Sequence, residues 1–142
     1  MNSGESVAFR HAEMDEVWPR GGDIRITGRV SGEGLDRLVA QGRVNPFARC
    51  EADVTVTDGH FDTRVSVARL VSACREVDET FDLYLTHSGS DQGRARVGRH
   101  LDDIHGKKRV FRYPEQIVDG VRVKPYFTEN DNLSVTCRRA EQ

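Results

Sequence analysis

The chain has 142 residues, 37% hydrophobic and 31% charged, with a net charge of -2; these proportions exclude a disordered chain and allow one domain with its own core. No apolar run approaches the ~18 residues that cross a bilayer. The opening MNSGESVAFRHAEMDE has no signal-peptide core, so a soluble, cytoplasmic protein is expected, and the near-neutral balance does not favour nucleic acid.

In chain order, residues 1–19 are expected to form an N-terminal extension or a first edge strand, residues 20–139 a single domain and residues 140–142 a tail. Trp18, the only tryptophan, is expected to plug one end of the core, with ligand stacking as the alternative. In DIRITGRV, Ile24, Ile26, Gly28 and Val30 share one parity and Arg25, Thr27 and Arg29 the other, which predicts a strand with one buried face. GLDRLVAQG, with Leu35, Leu38 and Val39 at helical spacing, predicts a turn or two of helix. ADVTVTDGHFDTRVSVARL predicts a hairpin about Asp58-Gly59, with Val54 and Val56 opposite Val65 and Val67.

A second short helix is expected within VARLVSACREVDE. Further strands are expected at TFDLYLTH, GRARVGR, KRVFRYP, VRVKPYF and LSVTCRR, about eight in all. VKPYFTENDNLSV reads as a final hairpin, its turn set by Asn and Asp, with Tyr126 and Leu133 as packing residues. Many short strands without long helices point to an antiparallel sandwich or a barrel, and the sandwich is the preferred reading. Cys50, Cys74 and Cys137 are odd in number and lack Cys-x-x-Cys spacing, which predicts reduced thiols.

Chemistry-bearing clusters are sparse. His60 and Asp62 share a strand face, and HLDDIH brings His100, Asp102, Asp103 and His105 together in a loop, but neither has a known metal-site spacing. SGEG and GSDQG lack the strand-to-helix context and the lysine of a phosphate-cradling loop. No catalytic residue, metal or cofactor is therefore assigned.

Charge is more informative. Residues 94–124 carry nine cations against four carboxylates, a local excess of +5. Arg94 and Arg96 alternate with Ala95 and Val97, and Arg122 and Lys124 with Val121 and Val123, so each strand presents a cationic face. With Arg109, Arg112 and Tyr113 nearby, these residues form a candidate surface for phosphate or carboxylate groups. The alternative is a solvated face that resists edge-to-edge aggregation.

The order of these motifs resembles a family. The hairpin VTDGHFDTRVSVARL, then FDLYL with Phe81, Asp82 and Leu83, then GRARVGR with Arg94, Arg96 and Gly98, and finally Pro125, Tyr126, Thr128, Asn132 and Leu133 of the last hairpin resemble the β-sandwich modules of actinobacterial glycosyltransferases and CDP-glycerol glycerophosphotransferases of the teichoic-acid type. The resemblance spans roughly residues 20 to 137. It implies an immunoglobulin-like accessory domain without catalytic chemistry that engages an anionic glycan or glycerol-phosphate polymer, a transferase catalytic domain, or further copies of itself. No catalytic domain precedes the motifs in these residues, so an excised module and a freestanding relative both remain open. The competing expectation is a small-molecule-binding or enzymatic β-barrel of a bacterial biosynthetic pathway, with His60, Asp62, Tyr84 and His87 lining its interior.

Overall fold

A computed structural model describes residues 11–31, 34–74, 77–88, 90–101, 106–107 and 111–139. Ten strands and one helix are present: β1 (His11–Arg20), β2 (Asp23–Ser31), β3 (Arg37–Gly42), β4 (Arg49–Thr57), β5 (His60–Ser66), α1 (Val67–Cys74), β6 (Glu79–Thr86), β7 (Ala95–Gly98), β8 (Gln116–Val118), β9 (Val121–Phe127) and β10 (Leu133–Arg139).

The local pattern is well expressed. Asp58 and Gly59 both adopt positive φ, the conformation a two-residue hairpin turn requires, and they join β4 to β5. That turn sets the register: Val56 faces Phe61 and Val54 faces Thr63. The expected pairing with Val65 and Val67 is therefore displaced, and Val67 opens α1 instead. Buried Val67, Leu70, Val71 and Cys74 form the inner stripe of α1, which packs on β4 and β5 and on β8 to β10.

The architecture differs from a sandwich. The strands run β3-β4-β5-β2-β1-β7-β6, and β6 returns to pair with β3, closing a seven-stranded barrel. Closure rests on two long-range seams. Leu38 of β3 faces Leu85 of β6, and β1 pairs in parallel with β7 through Ala12 and Val97. β3 is the segment whose Leu35, Leu38 and Val39 spacing suggested a helix. Leu38, Val39 and Ala40 are all buried because Val39, on the outer side, lies opposite Tyr84, and this consecutive burial hides the strand's alternation.

One edge of β6 is shared. Tyr84 and Leu85 pair with β7, while Glu79 to Asp82 pair with β10, so β10, β9 and β8 continue as a flap beyond the barrel. The barrel is filled by Met14, Ile24, Ile26, Leu38, Phe61, Phe81, Leu83 and Leu85 among others. Within KRVFRYP, Phe111 to Pro114 are not in a strand, and Phe111 packs edge-on against Phe127 at 5.7 Å. Trp18 does not plug the core. It lies on the outer side of β1, 47% exposed, because Val17 and Pro19 take the inward positions.

Candidate functional site

Alternation places Asp82 and Tyr84 of β6, Arg96 of β7, Ser134, Thr136 and Arg138 of β10, and Arg122, Lys124 and Tyr126 of β9 on one outer face. The two cationic strands thus share a face, with Arg94 just before β7. Their cations are not equivalent.

Arg96 is held by the protein itself. Its Nη2 donates to Asp82 Oδ1 at 3.0 Å and Ser134 Oγ at 2.8 Å, and its Nη1 donates to the carbonyls of Leu83, Val97 and Leu133. Arg43 donates to the same Asp82 oxygen at 2.7 Å, as does Ser134 Oγ. Burial disfavours the Asp82 carboxylate, but hydrogen bonds from Arg43 and Ser134 and the charge of Arg96 outweigh it and hold its pKa below the usual value. Burial also lowers the Arg96 pKa. This cluster joins β6, β7 and β10 where the flap leaves the barrel.

Arg94 is also committed. Its guanidinium lies 3.7 Å from the centroid of the Tyr84 ring, donates to Gln41 Oε1 at 2.9 Å and pairs with Asp91 at 3.5 Å.

The outer end of the face is different. Arg122 sits directly opposite Arg138, and Lys124 opposite Thr136. With Asp78, Glu115 and Arg139 they line a groove of about 420 Å³. Among the described residues Arg122 makes one loose ion pair, its Nε lying 3.9 Å from Glu115 Oε1. Arg139 Nη2 is buried without a hydrogen-bond partner among the described residues. Arg138 escaped the sequence reading because its Thr136-Cys137-Arg138 alternation looks like any other strand end. Only the β9–β10 register sets it beside Arg122.

The other assigned residues do not join this group. Tyr113 packs on Phe127 at 6.3 Å, on the side of β9 away from Lys124, and burial raises its pKa. Arg112 is exposed in the same connecting segment, and Arg109 lies outside the described residues. Asp102, Asp103 and His105 also lie outside them, and among the described residues no group of three or more His, Cys, Asp or Glu side chains is placed to hold a metal. His100 Nε2 lies 2.9 Å from Asn132 Oδ1, tying the TENDN turn to the segment after β7. That turn is thus a buttressed hairpin connection, with Thr128 N donating to Asn132 O.

Nor do the four residues proposed to line a barrel interior do so. Asp62 pairs with Arg25 at 2.6 Å on the outer face, His60 is exposed beside the hairpin turn, Tyr84 is outward beneath Arg94, and His87 Nδ1 meets Gly34 O at 2.7 Å beyond the end of β6. Cys50, Cys74 and Cys137 are free and buried, which raises their thiol pKa values. Among the described residues no helix is long and apolar enough to cross a membrane.

The environment of Arg96 changes what its substitution should do. Arg96→Gln is expected to lower stability by about 2 kcal/mol, since Gln cannot serve Asp82 and three carbonyls at once. Arg122→Gln should stay within about 0.5 kcal/mol. Urea denaturation of both variants checks this, and equal midpoints would refute the distinction.

Comparison with solved structures places this architecture among known folds. The fold is shared with S. aureus TarS. The crystal structure of S. aureus TarS matches with a TM-score of 0.62 and 16% identity, over 91% of this chain and 24% of that one. The crystal structure of S. aureus TarS 217-571 matches with a TM-score of 0.62 and 17% identity, over 92% of this chain and 39% of that one. The chain therefore spans well under half of the TarS chains, and at such identity the likeness is one of fold. No protein-family model matches the chain, and no curated relative matches it either. The sandwich implied by the sequence resemblance is replaced by the closed barrel, while a likeness of fold to a part of S. aureus TarS stands.

Proposed function

We propose that this chain is a non-catalytic accessory domain of a teichoic-acid-type transferase, acting in the cytoplasm beside the transferase's catalytic domain, and that its β9–β10 face holds an anionic polymer. The fold shared with TarS, a teichoic-acid glycosyltransferase, supports the first part. One observation carries the second: Arg122 and Arg138 face each other across two paired strands, with Lys124 beside them. Like charges directly opposite destabilise a sheet. A row of phosphates spanning the groove would offset that repulsion through charge-assisted hydrogen bonds. Arg94 and Arg96 are not ligands in this reading, because Tyr84 and Asp82 already engage them.

Calorimetry with a glycerol-phosphate oligomer tests it. Wild-type protein should bind at low ionic strength and weaken steeply toward ~0.15 M salt, where screening acts within about 8 Å. The variant carrying Arg122→Gln, Lys124→Gln and Arg138→Gln should keep its fold and lose at least about tenfold in affinity, roughly 1.4 kcal/mol. Absence of binding by wild type at low salt, or equal binding by the variant, would reject the site.

A further inference from the structure

The wall formed by β1, β2 and β5 carries a second feature of different chemistry. Trp18, Arg25 and Arg64 form one row across the three strands, since Trp18 faces Arg25 and Arg25 faces Arg64. With Glu16, Arg20, Gly21 and Asp23 they line a groove of about 530 Å³, within the range of small-ligand sites. The indole is held in place: its Nε1 donates to Glu16 Oε1 at 3.2 Å, and the Arg20 guanidinium lies 5.8 Å from the ring centroid.

The charges around this ring balance. Arg25 is taken by Asp62 in a two-point pair, with Nε to Oδ1 at 3.1 Å and Nη2 to Oδ2 at 2.6 Å. That leaves the Arg20 and Arg64 guanidiniums against the Glu16 and Asp23 carboxylates. The Asp23 carboxylate and the Arg64 guanidinium make no hydrogen bond to the described residues. A polyanion would meet two carboxylates here and a polycation two guanidiniums. A wholly apolar ligand would strip water from all four charges without replacing its hydrogen bonds. A neutral ring with one face of C–H groups and hydroxyls around its rim fits all of these constraints, stacking on the indole while its hydroxyls donate to carboxylates and accept from guanidiniums.

We infer that this groove is a binding subsite for a neutral saccharide ring, with Trp18 as the stacking platform and Asp23 and Arg64 as the hydroxyl partners. The inference is independent of the cationic face on β9–β10.

Because Trp18 is the only tryptophan, intrinsic fluorescence of the whole chain reports on this groove directly. Titration with methyl β-D-glucopyranoside and with N-acetylglucosamine should give a saturable change in emission with at least one of them in the millimolar range. Its midpoint should move less than about twofold between low and ~0.15 M salt, because a neutral ligand is not screened. Asp23→Asn should shift the midpoint upward about tenfold while leaving the Trp18 reporter in place. Trp18→Ala should abolish binding in saturation-transfer NMR, and Trp18→Phe should retain part of it. No saturable response to either pyranoside would overturn the proposal. So would a response confined to inorganic phosphate or uridine monophosphate that disappears with salt, or Asp23→Asn binding as well as wild type.

Discussion

Gly28→Ala is expected to be the most damaging single substitution in the barrel. Asp15 is an extra residue in β1, so the register shifts between Met14 and Glu16, and β1 bends across β2 at Gly28. A Cβ on Gly28 would collide with the Glu13 carbonyl oxygen and lie 2.6 Å from Phe61 Cε2 and 2.7 Å from Met14 Cα. Two of these three neighbours are backbone atoms of a strand paired on both sides, so they cannot retreat without opening the β1–β2 seam. Phe61, buried and directly opposite Gly28, fills the space a side chain would need. Overpacking of an ordinary core site costs about 1–3 kcal/mol, and this rigid site should cost about 4 kcal/mol or more. Against a total of about 5–15 kcal/mol, such a loss should show as a much lower urea midpoint or an insoluble product. Gly120→Ala is the control, since nothing lies within 4 Å of its Cβ position and only its positive φ is strained. Equal midpoints for the two variants would refute this account.

Glu79→Ala should rank second, at about 3 kcal/mol. Its buried carboxylate accepts from the backbone N–H groups of Arg43, Val44, Asn45 and Thr80 at 2.8 to 3.0 Å, and so fixes the connection from β3 to β4 against the start of β6. Gly42 leaves room for it, as a Cβ there would lie 2.6 Å from Glu79 Oε2. Glu79→Gln keeps the size but turns an NH2 group toward an N–H, and should cost about 2 kcal/mol. Burial alone would raise the Glu79 pKa, but the four N–H groups hold it below its ordinary 4.5. A carboxyl with a lowered folded pKa contributes stability that is fully present above the unfolded value and lost as pH falls through the folded one. Wild type should therefore lose its advantage over Glu79→Gln below about pH 4.5, the unfolded value, and denaturation midpoints from neutral to acid pH would show the two curves converging. Parallel curves would mean that the carboxylate is not ionised in its cradle.

How far these sites were legible in the sequence depends on the range of the interactions behind them. The Asp58-Gly59 turn, the alternation of β2 and β9, and α1 are local, and they follow from residues within a few positions of one another. Gly28 was legible as an inward position, but its necessity was not, because the bulge at Asp15 lies on another strand. The cationic β9–β10 face was half legible: Arg122 and Lys124 follow from alternation alone, whereas Arg138 and the engagement of Arg94 and Arg96 by other side chains do not. Trp18 was misplaced because an aromatic residue before a strand carries no signal of which side it will face until its neighbours' positions are set.

The residue pattern by itself determined that the chain is strand-rich, which side of most strands is buried, and that cations gather between residues 94 and 124. Period-two alternation is a property of one strand and is the same in a sandwich and in a barrel. The tertiary structure alone decided closure, through the pairing of β3 with β6 and of β1 with β7, partners 39 to 85 residues apart from Gly42↔Phe81 to Ala12↔Val97. It also decided which cations face solvent. Arg96 and Arg122 look alike in sequence, each next to valine in a short strand, yet Asp82 and Ser134 arrive beside Arg96 from β6 and β10 while Arg138 arrives opposite Arg122. The charge of a side chain is local, but the partner that neutralises or repels it is delivered by the fold.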